Sequence, residues 1–418
     1  MPASTISRVA GLVGGQVATW ALTLVWLLTV PRMLGLHDFG CLVVASSVLS
    51  VVTSLSLFGL DVHLLRLVAR GSRAGLLRAA IGCAVVTCCM LLPATGLVLL
   101  ALLGPAGLLL SLGYLAQAVG NIAYAVLQGD DRPGLRARWD IAAKAVFLAG
   151  SLLVTTLTGV ALALALGYVV YALAGWAAVR RYRLVEPGDM AAADIREVLR
   201  EDAPLGAHLV AQAVYYRSDS MLLSHLRGAS AAGVYGAAYR LFDTLSFVTG
   251  LFAAVVSSRL VRLVRTDLDG ARRLLRLSLL VMTVAGVGGA CAVAVTAGPV
   301  IRWVFGDDYA GSADLLRVLG VALGLSFVAT PLGWALMACD RQARVAAISA
   351  SAAVVNVVAN LLVVPAHGAE GAAWTTVVTE VVVLAGHVRA LGGTDLALSW
   401  RRGLVRATGT HRVLRPIA

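Results

Sequence analysis

Almost the whole chain divides into apolar runs of roughly 18 to 25 residues, each long enough to cross a hydrocarbon core about 30 Å thick as a helix. They lie near residues 9–30, 40–60, 79–103, 106–127, 140–157, 160–179, 204–226, 233–258, 277–298, 312–338, 345–365 and 370–390. Of the 418 residues 59% are hydrophobic and 13% charged, against about a quarter charged in soluble chains. No stretch is left for a sizeable soluble domain. The sequence therefore predicts an all-α, multi-pass membrane protein of about twelve transmembrane helices.

A net charge of +12 would suggest nucleic acid in a soluble protein, so the placement of the basic residues decides the matter. Alternate connections carry Arg66, Arg70, Arg73 and Arg78, then Arg132, Arg136, Arg138 and Lys144, then Arg180, Arg181, Arg183, Arg196 and Arg200. The same side continues with six arginines from Arg259 to Arg276, with Arg341 and Arg344, and with the tail from Arg389 to Arg415. The opposite connections hold only Arg32, Arg227, Arg302 and Arg317. Basic loops mark the cytoplasmic side, which places both termini inside the cell and accounts for the charge without a nucleic-acid partner. The first apolar run is too long for a cleaved signal peptide and is expected to be the retained first span. Cys41, Cys83, Cys88, Cys89, Cys291 and Cys339 fall in or at the ends of spans without C-x-x-C spacing, which points to buried thiols rather than a metal site.

The longest polar interruption, "RRYRLVEPGDMAAADIREVLREDAP" at 180–204, has a turn at Pro187-Gly188 and a short charged helix before Pro204. It divides the chain into a six-helix half (1–183), a cytoplasmic linker (184–203), a second six-helix half (204–392) and a basic cytoplasmic tail (393–418). Sliding residues 39–70 by 196 positions sets "FGCLVVASSVLSVVTSLSLFGLDVHLLRLVAR" on "YGAAYRLFDTLSFVTGLFAAVVSSRLVRLVRT" without a gap, Gly40 on Gly236 and "LLRLV" on "LVRLV". Halves with an even number of spans make such repeats parallel. Asp131-Arg132, after the fourth span, is echoed by Asp340-Arg341 after the tenth.

Residues 34–70, "LGLHDFGCLVVASSVLSVVTSLSLFGLDVHLLRLVAR", resemble the second-helix region of polysaccharide transporters, where a Gly-Leu-x-x-Phe/Tyr-Gly turn leads into a helix ending in a basic cluster. "RSDSMLLSHLRGASAAGVYGAAYRLFDTL" is similar to the seventh and eighth helices of the same family. "FGDDYAGSADLLRVLGVALGLSFVATPLGWALMA" and "NVVANLLVVPAHGAEGAAWTTVVTE" look like its last three. The family is that of the Wzx-type oligosaccharide flippases, a branch of the multidrug/oligosaccharidyl-lipid/polysaccharide exporters. The resemblance implies two six-helix lobes around a central cavity that opens alternately to each side and moves undecaprenyl-diphosphate-linked sugars outward. It also implies drive by a proton or sodium gradient or by the membrane potential.

An ionised side chain at mid-bilayer costs at least about 2.5 to 3.5 kcal/mol on insertion scales and normally faces a cavity or a partner. Counting back from the turn at Arg227–Gly233 at about 1.5 Å per residue puts Arg217 and Asp243 both roughly 15 Å deep, with Asp219 and Arg240 at roughly 10 to 12 Å. Arg217 can pair with Asp243 and Asp219 with Arg240, and these four either clamp one another or form a site. In the second case Arg217 and Arg240 line the cavity and meet diphosphate oxygens, for which a guanidinium fork is suited, with Asp219 and Asp243 as counter-ions or coupling groups. The offset of 196 maps Arg240, Asp243 and Arg217 onto Val44, Ser47 and Ala21, so the first half manages without these charges, which favours the site. Glu380, about ten residues into the last span, suits proton coupling; the other reading is a carboxyl hydrogen-bonded to Thr376 or a neighbouring helix.

Asn356 and Asn360, with Gln16, Gln117 and Asn121, are expected to bond between helices, and Gly11 and Gly15 to mark close helix contact. Gly286, Gly288 and Gly289 soften the ninth span, and Pro93 and Pro331 favour kinks. His208 and His225, near the two ends of the seventh span, are read as packing residues. The arginines Arg66, Arg70, Arg262 and Arg265 set topology, contact anionic lipid headgroups and gather substrate at the cytoplasmic mouth.

The leading function is a lipid-linked oligosaccharide flippase of the cell membrane, a monomer without cofactor, metal or catalytic residues, serving glycosyltransferases or a polymerase of one pathway. A small-molecule or multidrug antiporter of the same superfamily is the alternative, although two arginines within the spans favour an anionic cargo. A membrane-embedded polymerase or glycosyltransferase would carry a large loop with acidic or His-containing motifs, and the external connections are only a few residues long.

Overall fold

Lipid offers backbone N–H and C=O groups no partner, so a chain of such apolar runs satisfies them within helices. The computed structural model describes residues 3–71, 74–130, 132–185, 191–394 and 396. Its helices are α1 (Ala3–Leu57), α2 (Leu60–Ala69), α3 (Ala74–Leu103), α4 (Pro105–Gly129), α5 (Pro133–Leu152), α6 (Leu157–Arg181), α7 (Ala192–Arg227), α8 (Ala229–Thr266), α9 (Leu268–Phe305), α10 (Ser312–Ala338) and α11 (Gln342–Leu391). Two of these are pairs of crossings joined at a glycine with positive φ: Gly35 (φ 74°) in α1, four residues after Pro31, and Gly368 (φ 56°) in α11, three after Pro365. Proline withdraws a ladder donor and glycine accepts the left-handed turn, so the chain reverses with almost no loop. Counting each as two, and leaving out α2, whose ten residues are too short to cross, gives the expected twelve crossings. Pro93 and Pro331, expected to kink their spans, lie in α3 and α10 without any such break.

The helices sort into two lobes of six crossings around a central cavity. α1, α3, α4, α5 and α6 pack on one another in the first lobe, and α7 to α11 in the second. Their outward faces remain apolar, with Leu102, Val295 and Leu362 more than 70% exposed, as a surface solvated by lipid tails requires. Cys89 and Cys291 belong to that outward surface, contrary to the expectation of burial; Cys41 and Cys88 are buried.

The lobes touch at both ends. At the arginine-poor end the second half of α1 lies against α8, the two helices that the repeat pairs. A Cβ on Gly40 would fall 1.9 Å from the Ala229 carbonyl oxygen, and one on Gly233 would fall 2.3 Å from that of Leu36. Phe39 stacks against Phe305 and Tyr309, whose hydroxyl donates to the Pro31 carbonyl at 2.9 Å. Arg32 donates to the Arg302 and Trp303 carbonyls in the last turn of α9, and Arg227 to those of Val364 and Pro365 before the α11 break. These arginines sit on the arginine-poor side because they satisfy the orphan carbonyls of helix ends.

At the arginine-rich end the chain breaks at Phe58 (φ 44°) and Gly59 (φ 79°), and the break rests on α7: a Cβ on Gly206 would lie 2.4 Å from the Phe58 carbonyl oxygen. The charged stretch before Pro204, expected as a separate short helix, is continuous with the seventh crossing. α7 is 36 residues long, about 54 Å at 1.5 Å per residue, so residues 192–203 extend beyond a core about 30 Å thick. The side chains of Gly11, Gly15 and Gln16, the residue Asp131, and the tail from 397 onward lie outside the described residues.

Candidate functional site

α7 and α8 run antiparallel from a shared turn at Gly228, so residues equally far from it meet at equal depth. Arg217 Nη1 and Asp243 Oδ2 are 2.8 Å apart, each side chain about 30% exposed. The Arg217 guanidinium also lies 5.8 Å from the Tyr239 ring centre. The other expected pair does not form. Asp219, two residues on, points away from Arg240 into the second lobe, fully buried. There it accepts hydrogen bonds from Tyr235 Oη (2.8 Å), Thr376 Oγ1 (2.7 Å) and Asn360 Nδ2 (2.6 Å). Asn356 extends the cluster, accepting from Ser218 Oγ at 2.6 Å and donating to Thr379 Oγ1 at 3.1 Å. A side-chain spacing of two on a helix separates directions by about 200°, which is why Arg217 and Asp219 serve different surroundings.

Every hydrogen-bond partner given above for Asp219 is neutral, and the Asn360 carbonyl oxygen beside it is buried without a hydrogen bond. One carboxylate with amide and hydroxyl oxygens is a donor set for a hard cation or a proton. Among the described residues no three His, Cys, Asp or Glu side chains converge, so a transition-metal centre has no support. Glu380, on the second half of α11, is 2% exposed and accepts from Tyr216 Oη at 3.2 Å. Of the two partners expected from sequence, Thr376 or a neighbouring helix, the structure has the second, a tyrosine of α7, while Thr376 bonds Asp219.

Arg240 has no carboxylate within ion-pair distance among the described residues. Its guanidinium lies 5.9 Å from the Trp26 ring of the opposite lobe. Nearby is a cation that the sequence placed in a basic loop: Lys144, eleven residues into α5, roughly 16 Å from its start. Its Nζ is 3.5 Å from Asp140 Oδ2, which in turn lies 3.4 Å from Thr19 Oγ1. The first lobe, which lacks counterparts of Arg217, Arg240 and Asp243, therefore carries a charged pair of its own. Asp140 and Lys144 at i, i+4 next to an apolar run were the available signal.

Three connected spaces lie between the lobes. A groove of about 240 Å³ is walled by Leu22, Trp26, Leu42, Phe147, Leu148 and Leu164, and Lys144 of the first lobe and Arg240 and Asp243 of the second also line it. A neck of about 30 Å³ follows, formed by Ser46, Ser47, Ser50, Tyr239, Arg217 and Arg240. Beyond it a chamber of about 370 Å³ reaches toward the arginine-rich end, lined by Ser50, Thr53, Ser54, Gln117, Asn121, Gln212, Tyr216 and Arg217, with Gly59 and Asp61 at its end. Arg240 borders groove and neck, Arg217 borders neck and chamber, and Tyr114 borders all three.

Past the chamber, Asp202 is 1% exposed, and its Oδ1 is 3.9 Å from His63 Nδ1 across the lobe contact. Neither Asp202 oxygen accepts a hydrogen bond, and burial pushes this carboxyl up to about 7, the nearby Arg66 only partly opposing it. Burial also holds the His63 imidazole below its usual value.

Twelve crossings in two lobes, with a charged cavity between them and contacts at both ends, make the architecture of a multi-pass membrane transporter. The sequence model of the polysaccharide biosynthesis protein family matches residues 7–259, and the chain belongs to that family. No curated protein matches the sequence. Among solved structures, the chain is similar to the lipid II flippase MurJ in an inward closed conformation (TM-score 0.75, 11% identity, 98% of this chain and 94% of that one). It is equally similar to an inward-facing multidrug resistance MATE family transporter of the MOP superfamily (TM-score 0.75, 15% identity, 94% and 96%). A MOP superfamily transporter from Pyrococcus furiosus, whose binding pocket is described as reversed in polarity, aligns at TM-score 0.61 with 15% identity over 90% and 93%.

Proposed function

We propose that the protein is a flippase that moves a lipid-diphosphate-linked saccharide from the cytoplasmic to the outer leaflet by alternating access. The observation that carries this reading is Arg240, a guanidinium with no carboxylate within ion-pair distance among the described residues, which lines the apolar groove together with Lys144 and the neck to the polar chamber together with Arg217. An unbalanced cation in a low-dielectric cleft is stabilised by an anion that comes and goes. A cargo with a lipid on one side of that anion and a polar headgroup on the other fits the cleft. The arginine-rich end is the cytoplasmic one by the bias of its loops, and Arg66, Arg70, Arg262 and Arg265 there suit contact with anionic lipids.

Asp219 and Glu380 are the coupling groups in this reading. Asp219 takes a cation or proton among its oxygen donors, and Glu380 exchanges a proton with the cavity through Tyr216. Asp243 is the counter-ion that releases Arg217 to the cargo. The test is export of lipid-linked sugar in cells or reconstituted vesicles: Arg240→Ala abolishes export at unchanged membrane abundance. Loss of abundance in parallel with export would make Arg240 a structural clamp and overturn the reading.

One observation favours a second reading: Asp219 and Glu380, second-lobe carboxylates with no cation partner among the described residues, suit an ion-coupled antiporter of cationic drugs. Export of a cationic dye that survives Arg240→Ala and fails in Glu380→Gln would establish it.

A further inference from the structure

The chamber between the neck and the arginine-rich end has a polarity that differs from the rest of the cavity. Its walls are mostly amides, hydroxyls and tyrosines, with Leu57, Leu209 and Ala213 among them. Arg217 is its sole cation among the described residues, stands at the neck, and is already paired with Asp243. At the opposite end stands a carboxylate, Asp61.

Two of the amides are fixed in place. Gln117 and Asn121 are one helical turn apart on α4, about 6 Å in rise. Each is held at one end by a tyrosine hydroxyl of α6: Gln117 Nε2 donates to Tyr168 Oη at 3.0 Å, and Asn121 Oδ1 accepts from Tyr171 Oη at 3.1 Å. The opposite end of each amide is left to the chamber. Gln212 faces them from α7, in the other lobe. Pre-oriented neutral donors and acceptors on both walls, with the Tyr114 and Tyr216 rings beside them, suit the hydroxyl and acylamido groups of a sugar. They give nothing to neutralise a sugar carboxylate, and Asp61 would repel one. About 370 Å³ is near the lower end of the range for enclosed ligand sites, roughly 300 to 1,000 Å³, so a short headgroup fits.

We propose that this chamber is a saccharide subsite selective for an uncharged sugar next to the diphosphate, with Gln117, Asn121 and Gln212 as its specificity-determining residues. The proposal rests on the flippase reading. It also fixes the direction in which the cargo lies: sugar toward the arginine-rich end, diphosphate at the neck, lipid in the groove.

The experiment measures binding of three probes to the purified full-length protein in detergent: farnesyl diphosphate, the same lipid carrying N-acetylglucosamine, and the same lipid carrying galacturonic acid. The neutral sugar is expected to tighten binding about tenfold over farnesyl diphosphate, about 1.4 kcal/mol, and the acidic sugar to give no gain. Asn121→Leu and, in the other lobe, Gln212→Leu are each expected to bring the ratio of the first two affinities toward one. Two variants in separate lobes guard against one that fails to fold. Equal or tighter binding of the acidic sugar, or variants that keep the ratio, would overturn the subsite. Failure of both farnesyl diphosphate and its N-acetylglucosamine conjugate to bind, or indifference of both to Arg240→Ala, would overturn the flippase reading itself and the subsite with it.

Discussion

Arg217 and Asp219, two residues apart on α7, face different worlds: Arg217 joins Asp243 at 2.8 Å on the wall between the lobes, while Asp219 is sealed among Tyr235, Asn360 and Thr376 inside the second lobe. One helix thus presents a cation to the cavity and a carboxylate to a cluster reached through α11. Whatever Asp219 binds is positioned to alter the packing of α7 on α11, and with it the wall that carries Arg217.

If Arg217 meets the cargo, its carboxylate partner competes with the anion. Asp243→Asn is then expected to tighten farnesyl diphosphate binding a few-fold, whereas Arg217→Ala weakens it by about tenfold or more, the scale of a charged hydrogen bond. Binding isotherms of the two variants decide it. Equal loss of binding and of thermal stability in both would reduce the pair to a structural clamp, since breaking either partner would then leave the other uncompensated.

Asp219 makes a separate prediction. A cation bound among its oxygen donors stabilises the folded protein by mass action, so exchange of choline for sodium is expected to raise the unfolding midpoint by at least about 3 °C. Asp219→Asn keeps an acceptor for Tyr235 and Thr376 but removes the charge, and is expected to erase the sodium response while the protein still folds. An undiminished response in that variant would place the cation elsewhere, and absence of a response in the wild type would leave the proton as the partner of Asp219.

Span number and fold class were legible because bilayer thickness dictates run length, and Arg217 with Asp243 because depth can be counted from a shared turn. Lys144 was not. It stands only a few residues into the span read as 140–157 and close to Arg132, Arg136 and Arg138, so it sorts with that basic connection, and only the continuous helix from Pro133 carries it to the cavity. Asp219 failed in the opposite way: matching depth allowed Arg240 as a partner, but depth says nothing about azimuth, and besides Tyr235 of α8 the true partners come from α11, more than 130 residues away. The seams at Gly35 and Gly368 follow Pro31 and Pro365, while Pro93 and Pro331 lie within helices that continue past them. A downstream glycine alone does not separate the two pairs, because Gly96 follows Pro93 at the same spacing and stays helical, whereas Gly35 and Gly368 adopt positive φ.

Gly40 tests the contact at the arginine-poor end. An added Cβ would overlap the Ala229 carbonyl oxygen at 1.9 Å, which only movement of the lobes relieves. Gly40→Ala is expected to raise the labelling rate of the neighbouring buried Cys41 about tenfold by a small maleimide, in a background where the other five cysteines are serine. Gly288→Ala, where a Cβ meets nothing within 4 Å, serves as the control. An unchanged rate in Gly40→Ala would show that this end yields locally, without separating the helices.

Asp202 ties the contact at the arginine-rich end to pH. Its carboxyl stands at about 7 in the folded protein because burial disfavours the charge, against about 3.9 in an unfolded chain. Between those values the native state keeps the proton and the unfolded state has lost it. Stability therefore falls as pH rises from about 4 to about 7 and levels off above. His63, held low by burial, acts in the other direction: the unfolded imidazole takes up a proton below about 6.5 that the native one resists, so its contribution is lost toward acid. Comparison of wild type with Asp202→Asn isolates the carboxyl, since His63 is common to both. Near pH 4 and below, where folded and unfolded states both largely hold the carboxyl proton, the two are expected to unfold at similar temperatures; at pH 7.5 the asparagine variant, with no charge to bury, is expected to be the more stable by several degrees. The same linkage applies to closure: joining the lobes buries Asp202 and takes up a proton, so the contact between Phe58 and Gly206 is expected to loosen as pH rises through 7. A constant offset between the variants at both pH values would mean that Asp202 is charged in the closed protein and paired with His63 or Arg66.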